Sequence, residues 1–310
     1  MTKKTSDNMA SSDFYKIRSY SGCVSAAFDL LCNNFATIFK KTWLYATLLS
    51  VICGMYAFVT FPTLPAEEGG VNAMPWLVAL AEMAVLTLCA TVANSRTKAG
   101  FLSLINGATI KKNFSKHLKV SLILLATSIA VLVLATAVSV STAQSMFAHK
   151  VQQETADNVI LGIFTAFGII TLCCYLPFSY SVTKHLLNDS KTKDIFGHNY
   201  HTGMKRFGFL FVIGIITTLV LTIVCIFMAL PAFITTTASR ADNFGVENGD
   251  PTGLPSYFPW LSFLTNTVVC FVMTYIIFWI DMAICYAYGT IETERTEALQ
   301  QKEATGTQHD

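Results

Sequence analysis

The stretch "WLSFLTNTVVCFVMTYIIFWIDMAICY", residues 260–286, holds 27 residues and a single charge, Asp281. A bilayer core of ~30 Å is crossed by about 20 apolar residues in a helix, so this run is long enough to span one. An ionised carboxylate is costly in hydrocarbon, which makes Asp281 a functional-site hypothesis by default. Its neighbours refine that reading. Thr267, Thr274, Asp281 and Tyr288 recur every seven residues, which places the acid on a polar seam turned toward other helices. Counting ~1.5 Å per residue from Trp260 puts Asp281 ~32 Å along the helix, near one membrane boundary. Trp279, Tyr286 and Tyr288 beside it are side chains expected at an interface.

Five further runs have comparable length: about 43–61, 76–94, 120–142, 159–181 and 207–233. The expected fold is all-α, a polytopic bundle of six transmembrane helices. Composition agrees, with 53% hydrophobic and 13% charged residues, where soluble domains carry about 25% charged. Breakers separate the runs: "FPTLPAEEGG" follows the first and "ENGDPTGLPSYFP" precedes the sixth. Pro231 is expected to end the fifth, and Pro177 to kink the fourth. The N-terminal residues are polar where a cleavable signal would need an apolar stretch, so the first span is expected to act as an uncleaved insertion signal.

Orientation follows from the lysines and arginines, which favour the cytoplasmic side of short loops. Of 21 basic residues, all but Lys150 and Arg240 fall on one side. The opposite side holds Glu67, Glu68, Glu154, Asp157, Asp242, Glu247 and Asp250. Both termini are expected in the cytoplasm. The sequons at Asn113 and Asn188 lie on the same inner side, which suits a bacterial inner-membrane protein. Trp43, Trp76 and Trp260 sit at span ends as interfacial anchors. The nine cysteines avoid the outer loops, so free, buried thiols are expected rather than disulfides.

Before the first span, "GCVSAAFDLLCNNFATIFKKTW" sets Val24, Phe28, Leu31, Phe35 and Ile38 on one face of an amphipathic helix. That segment is read either as a helix in the inner interface, with Lys40 and Lys41 near lipid phosphates, or as one packed under the bundle. Basic pairs recur before the third span (Lys111, Lys112) and the fifth (Lys205, Arg206). A threefold repeat explains them, as does positive-inside topology alone. The layout, with residues 26–43 as its local signature, resembles small six-span bacterial inner-membrane proteins grouped with the glycerophosphodiester phosphodiesterase membrane domain. The resemblance implies a multi-pass membrane module without an assigned reaction. It does not carry over phosphodiesterase activity, because the soluble domain of some members has no counterpart here. Residues 1–13 are expected to be a disordered N-terminus, 14–289 a single membrane domain and 290–310 a polar, disordered cytoplasmic tail.

Within the spans, small residues mark packing seams: Ala46, Ser50, Cys53 and Ala57; Ser121, Ser128, Ala135 and Thr142; Gly214, Thr218, Cys225 and Ala229. Gly162 and Gly168 are expected to permit close approach or lend flexibility. The second intramembrane acid is Glu82, with Ala79, Leu86, Cys89 and Ala93 expected on its face. It lies near the outer surface, too far from Asp281 for a carboxylate dyad, and neither acid has a lysine or arginine within a span to pair with. Glu82 either lines a cavity or packs near the interface. No Walker A, dinucleotide fingerprint or HExxH occurs, and no histidine lies within a span. His185, His198 and His201 share the fourth loop, which is read as a solvated loop, with metal binding as the alternative.

The reading is an integral membrane protein with no catalytic or metal constellation and no cofactor. It is expected to be a non-enzymatic module assisting a partner protein or a lipid process; a small permease is the alternative and a membrane-embedded enzyme the third. Its partners are the lipid bilayer and a membrane protein or a second copy, not nucleic acid. The candidate polar sites within the membrane are Glu82, Asp281, Thr274 and Thr267, with Lys40, Lys41, Lys111, Lys112, Lys205 and Arg206 at the interface.

Overall fold

Apolar runs of this length leave the helix as the local structure that satisfies every backbone donor and acceptor within one segment. The computed structural model describes residues 13–59, 73–188, 190–251 and 253–306. Their helices are α1 (Tyr20–Met55), α2 (Ala73–Asn106), α3 (Ile110–Ala148), α4 (Gln153–Leu187), α5 (His198–Lys205), α6 (Phe207–Glu247) and α7 (Phe258–Gly306). Short 3-10 turns occupy Tyr56–Phe58 and Thr192–Ile195, and no strand occurs among the described residues. All but α5 are long and apolar enough to cross a membrane, as an integral multi-pass membrane protein requires. The expected disordered N-terminus, Asp13 apart, and the loop with Glu67 and Glu68 lie outside the described residues.

The helices run past the apolar stretches that nucleate them. α1 starts at Tyr20, so the amphipathic segment is its first turns and not a separate interfacial helix. Cys23, Ala27 and Ile38 form its buried stripe, while Phe28 and Phe35 stay exposed. α6 continues through Pro231 to Glu247, correcting the expected stop. Proline removes a single i→i−4 bond, a loss that a long apolar helix absorbs. α7 continues to Gly306, so the tail read as disordered is helical over most of its length. The basic approach to α6 is the separate helix α5, whereas the other two approaches merge into α1 and α3.

Two compact units divide the described chain. The first comprises residues 24–114 and 215–283, apart from those not described. Its core has Phe101 stacked on Phe278 with ring centroids 4.6 Å apart. Tyr275 packs among Phe35 and Phe39 and receives a hydrogen bond from Thr42 at 3.4 Å. Where α1 crosses α7, Gly54 leaves room for the Thr267 hydroxyl and the Phe263 ring; a Cβ there would overlap Thr267 Oγ1. Gly162 and Gly168 behave differently, since a Cβ at either meets nothing within 4 Å, and the close approach expected of them is absent. Gly54→Ala is therefore expected to lower stability by about 1–3 kcal/mol through overpacking. Gly168→Ala should be neutral or stabilising by up to about 1 kcal/mol, because alanine is the better helix former. Melting of the purified variants checks the contrast, and equal shifts would refute it.

The second unit comprises residues 13–23, 115–214 and 284–306, apart from the undescribed position 189. Val120, Phe178 and Ile195 form a small core, with Leu124, Val182 and Tyr200 against it. The small-residue stripes are met in part: Ala46, Ser50 and Ala135 are buried, but Ser128 and Thr218 are exposed and Thr217 is buried instead. A strict seven-residue count drifts by ~20° per heptad on a straight helix, which turns distant members off the seam.

Candidate functional site

α2 continues past the apolar run bounded at about 94 and ends at Asn106. Ala99, Phe101, Leu104 and Ile105 are buried and hold the helix together through Asn106. Lys98 thus rides on the same rod as the span and reaches Asp281 on α7. Its Nζ donates to Oδ1 at 2.8 Å and lies 2.7 Å from Oδ2. The second contact is electrostatic only, because Oδ2 is buried and has no hydrogen-bond geometry with any donor. The expectation that Asp281 lacks a basic partner is overturned. The sequence does not point to Lys98, because it lies just past the apolar run while its side chain is long enough to return.

Both side chains of the pair are about three-quarters buried, at 19% and 26% exposure. Removing one partner of a fully buried pair costs roughly 3–5 kcal/mol. Partial exposure reduces the expected cost of Lys98→Met to about 2 kcal/mol. The matched Lys98→Met/Asp281→Asn variant should recover most of that loss, because no lone charge remains. A double-mutant cycle on melting reads the coupling, and additive losses would sink the ion-pair account.

The other seam residues are structural in their contacts. Thr274 is buried and donates to the Cys270 carbonyl at 2.9 Å, and Thr267 to that of Phe263 at 2.8 Å. Glu82 is exposed and has no hydrogen bond or ion pair among the described residues. Its expected face splits: Ala79 and Ala93 are buried while Cys89 is exposed. All nine cysteines are free, but only Cys23 and Cys285 are buried, so the remaining thiols are not the buried ones expected. Lys40, Lys41, Lys111, Lys112 and Lys205 are exposed, and Arg206 pairs with Glu294 at 3.1 Å.

A further polar cluster, to which the sequence does not point, belongs to the second unit. α4 presents Tyr180 and Lys184 one turn apart, and α7 presents Tyr288 and Glu292 likewise. Tyr180 and Lys184 both donate to Glu292 Oε1, Lys184 at 2.7 Å. Arg295 stands 3.8 Å from the same oxygen, and Asn188 donates to the Tyr288 hydroxyl at 2.9 Å. The residues before α1 close over α7. Tyr286 donates to Asp13 at 3.3 Å, Thr290 donates to the Lys16 carbonyl at 3.1 Å, and Arg18 lies 4.7 Å over the Tyr286 ring. Trp279, Tyr286 and Tyr288, read as interfacial aromatics, are therefore buried packing groups.

A hydrogen bond from Lys16 holds the Asp13 carboxyl below its ordinary range, outweighing partial burial, with Arg18 adding to the effect. Its stabilisation is present above the unfolded-state value and is lost as pH falls through the lowered one. His185 contacts the Ser190 carbonyl and His198 contacts Arg295, and no His, Cys, Asp and Glu group suited to a metal occurs among the described residues. No family model, curated protein or solved structure matches this chain.

Proposed function

We propose that the protein is a non-enzymatic module of the bacterial cytoplasmic membrane, with both termini in the cytoplasm, that assists a partner protein or a lipid process. The observation that carries this reading is that two partly buried acids on α7 are each paired with a lysine in place. Asp281 is held by Lys98, and Glu292 by Tyr180 and Lys184. Neither lines the groove described below or the apolar cleft between α3 and α4. A group committed to a fixed partner resists the change of protonation or ligation that transport and catalysis require. The lysine and arginine asymmetry supports the orientation.

The test uses full-length protein in proteoliposomes with a trapped pH dye and an imposed potassium diffusion potential. Wild type, Glu82→Gln and Asp281→Asn are expected to leak protons no faster than empty vesicles. A proton flux that Asp281→Asn or Glu82→Gln abolishes would refute the module and show a proton pathway through the protein, as the permease reading requires.

A further inference from the structure

α1, α2 and the first residues of α3 enclose a groove within the first unit, with a volume of about 680 Å³. Leu48 and Ile52 wall it on one side and Leu88 and Val92 on the other. Leu48, Leu88 and Val92 are each about half exposed, so the groove opens outward and not into a sealed core. Its volume lies within the ~300–1,000 Å³ range of small-molecule sites. In a bilayer, an open apolar groove beside a span is filled by lipid chains, so selectivity must come from its polar end.

That end carries Arg96 and Lys111. The Arg96 guanidinium lies 4.5 Å over the Tyr45 ring, which positions it without neutralising it. Neither cation has a carboxylate partner among the described residues, whereas Lys98, Lys184 and Arg206 each have one. Arg96 follows the second apolar run directly, and Lys111 opens α3. Two unneutralised cations just beyond an apolar run sit at the level of lipid phosphates.

We propose that this groove holds one anionic phospholipid of the surrounding bilayer, with an acyl chain along α1 and α2 and its headgroup at Arg96 and Lys111. The chemistry is charge complementarity joined to an apolar channel. A soluble anion has no chain for the groove, and a net-neutral headgroup repels one cation with its own ammonium group. The site is independent of the proposed function, since a scaffold, a permease or an enzyme could each hold such a lipid.

The experiment reconstitutes full-length protein in phosphatidylcholine and adds trace phosphatidylglycerol or phosphatidylcholine, each spin-labelled near the chain end. The motionally restricted fraction gives the relative association constant of the two labels. Phosphatidylglycerol is expected to be favoured about fivefold at low ionic strength and less at high salt. Arg96→Gln/Lys111→Gln should bring the ratio to about one, and Lys111→Gln alone, at an exposed position, to an intermediate value. Leu88→Trp, which fills the groove, should reduce the restricted fraction of both labels. Lys150→Gln, which removes an exposed cation beyond the far end of α3, should leave the ratio unchanged. The proposal is overturned by a wild-type ratio near one, by a preference that survives Arg96→Gln/Lys111→Gln, or by an equal loss in the Lys150→Gln control.

Discussion

Gly289→Ala is expected to detach the segment before α1 from α7. A Cβ on Gly289 would overlap the Phe14 carbonyl oxygen and lie 2.6 Å from its carbonyl carbon. The obstacle is backbone, so no rotamer change relieves it, and overpacking of this kind belongs at or above the upper end of its usual 1–3 kcal/mol range. Phe14 is buried with its ring centroid 4.7 Å from that of Tyr286. Moving it also breaks the Tyr286–Asp13 and Thr290–Lys16 hydrogen bonds. A loss of about 3 kcal/mol lowers melting by roughly 6–12 °C. Trypsin gives a local readout, because Lys16 and Arg18 flank the displaced residues and should be cut faster in the variant. Unchanged melting together with unchanged cleavage would show that the segment is not anchored through Gly289.

The six membrane helices were legible because the bilayer imposes one requirement on every span. Backbone groups must pair within the segment, so length and hydropathy suffice. Helix ends were less legible, since hydropathy reports where lipid stops and not where the helix stops. α2 runs to Asn106 because Phe101, Leu104 and Ile105 are packed against protein, and α7 runs to Gly306 past the apolar stretch. Pro231 was misread for a related reason. Proline weakens a helix by one bond, and the apolar residues on both sides of it outweigh that loss.

The sites were harder, because a charge's role depends on a partner distant in sequence. Lys98 and Asp281 are 183 residues apart, and Lys184 and Glu292 are 108 apart. Spacing along one helix shows which side chains share a face but not which helix that face meets. The heptad through Thr267, Thr274 and Asp281 named one face of α7, while the identity of its partner required coordinates. For Glu292 a signal was present in the matched pairs Tyr180/Lys184 and Tyr288/Glu292, each one helical turn apart. Reading it would have required knowing that α4 lies beside this part of α7. Glycine shows the same limit: Gly54 and Gly168 look alike in sequence, yet only Gly54 has a neighbour in the space of the missing side chain.

Removing Glu292 should cost about as much as any single truncation in the second unit. Glu292 and Lys184 are 18% and 16% exposed, and Tyr180 is fully buried. In Glu292→Ala the Lys184 ammonium loses its carboxylate and the Tyr180 hydroxyl loses its acceptor. An orphaned buried donor costs about 1–3 kcal/mol, and an uncompensated charge adds to it, so about 3–4 kcal/mol is expected in total. Glu292→Gln keeps an acceptor for Tyr180 and loses only the charge, so its cost should be roughly half. Arg295→Gln should have little effect, because Arg295 is more exposed and stands 3.8 Å from the carboxylate. Lys184→Met/Glu292→Leu should recover only the part of the loss owed to the unpaired Lys184 charge, because the buried Tyr180 hydroxyl still lacks its acceptor. This order of stabilities, with Arg295→Gln nearest wild type and Glu292→Ala lowest, is what an interlocked polar knot requires. A Glu292→Ala variant that melts like wild type would contradict it, and would return Glu292 to the set of acids free to do chemistry.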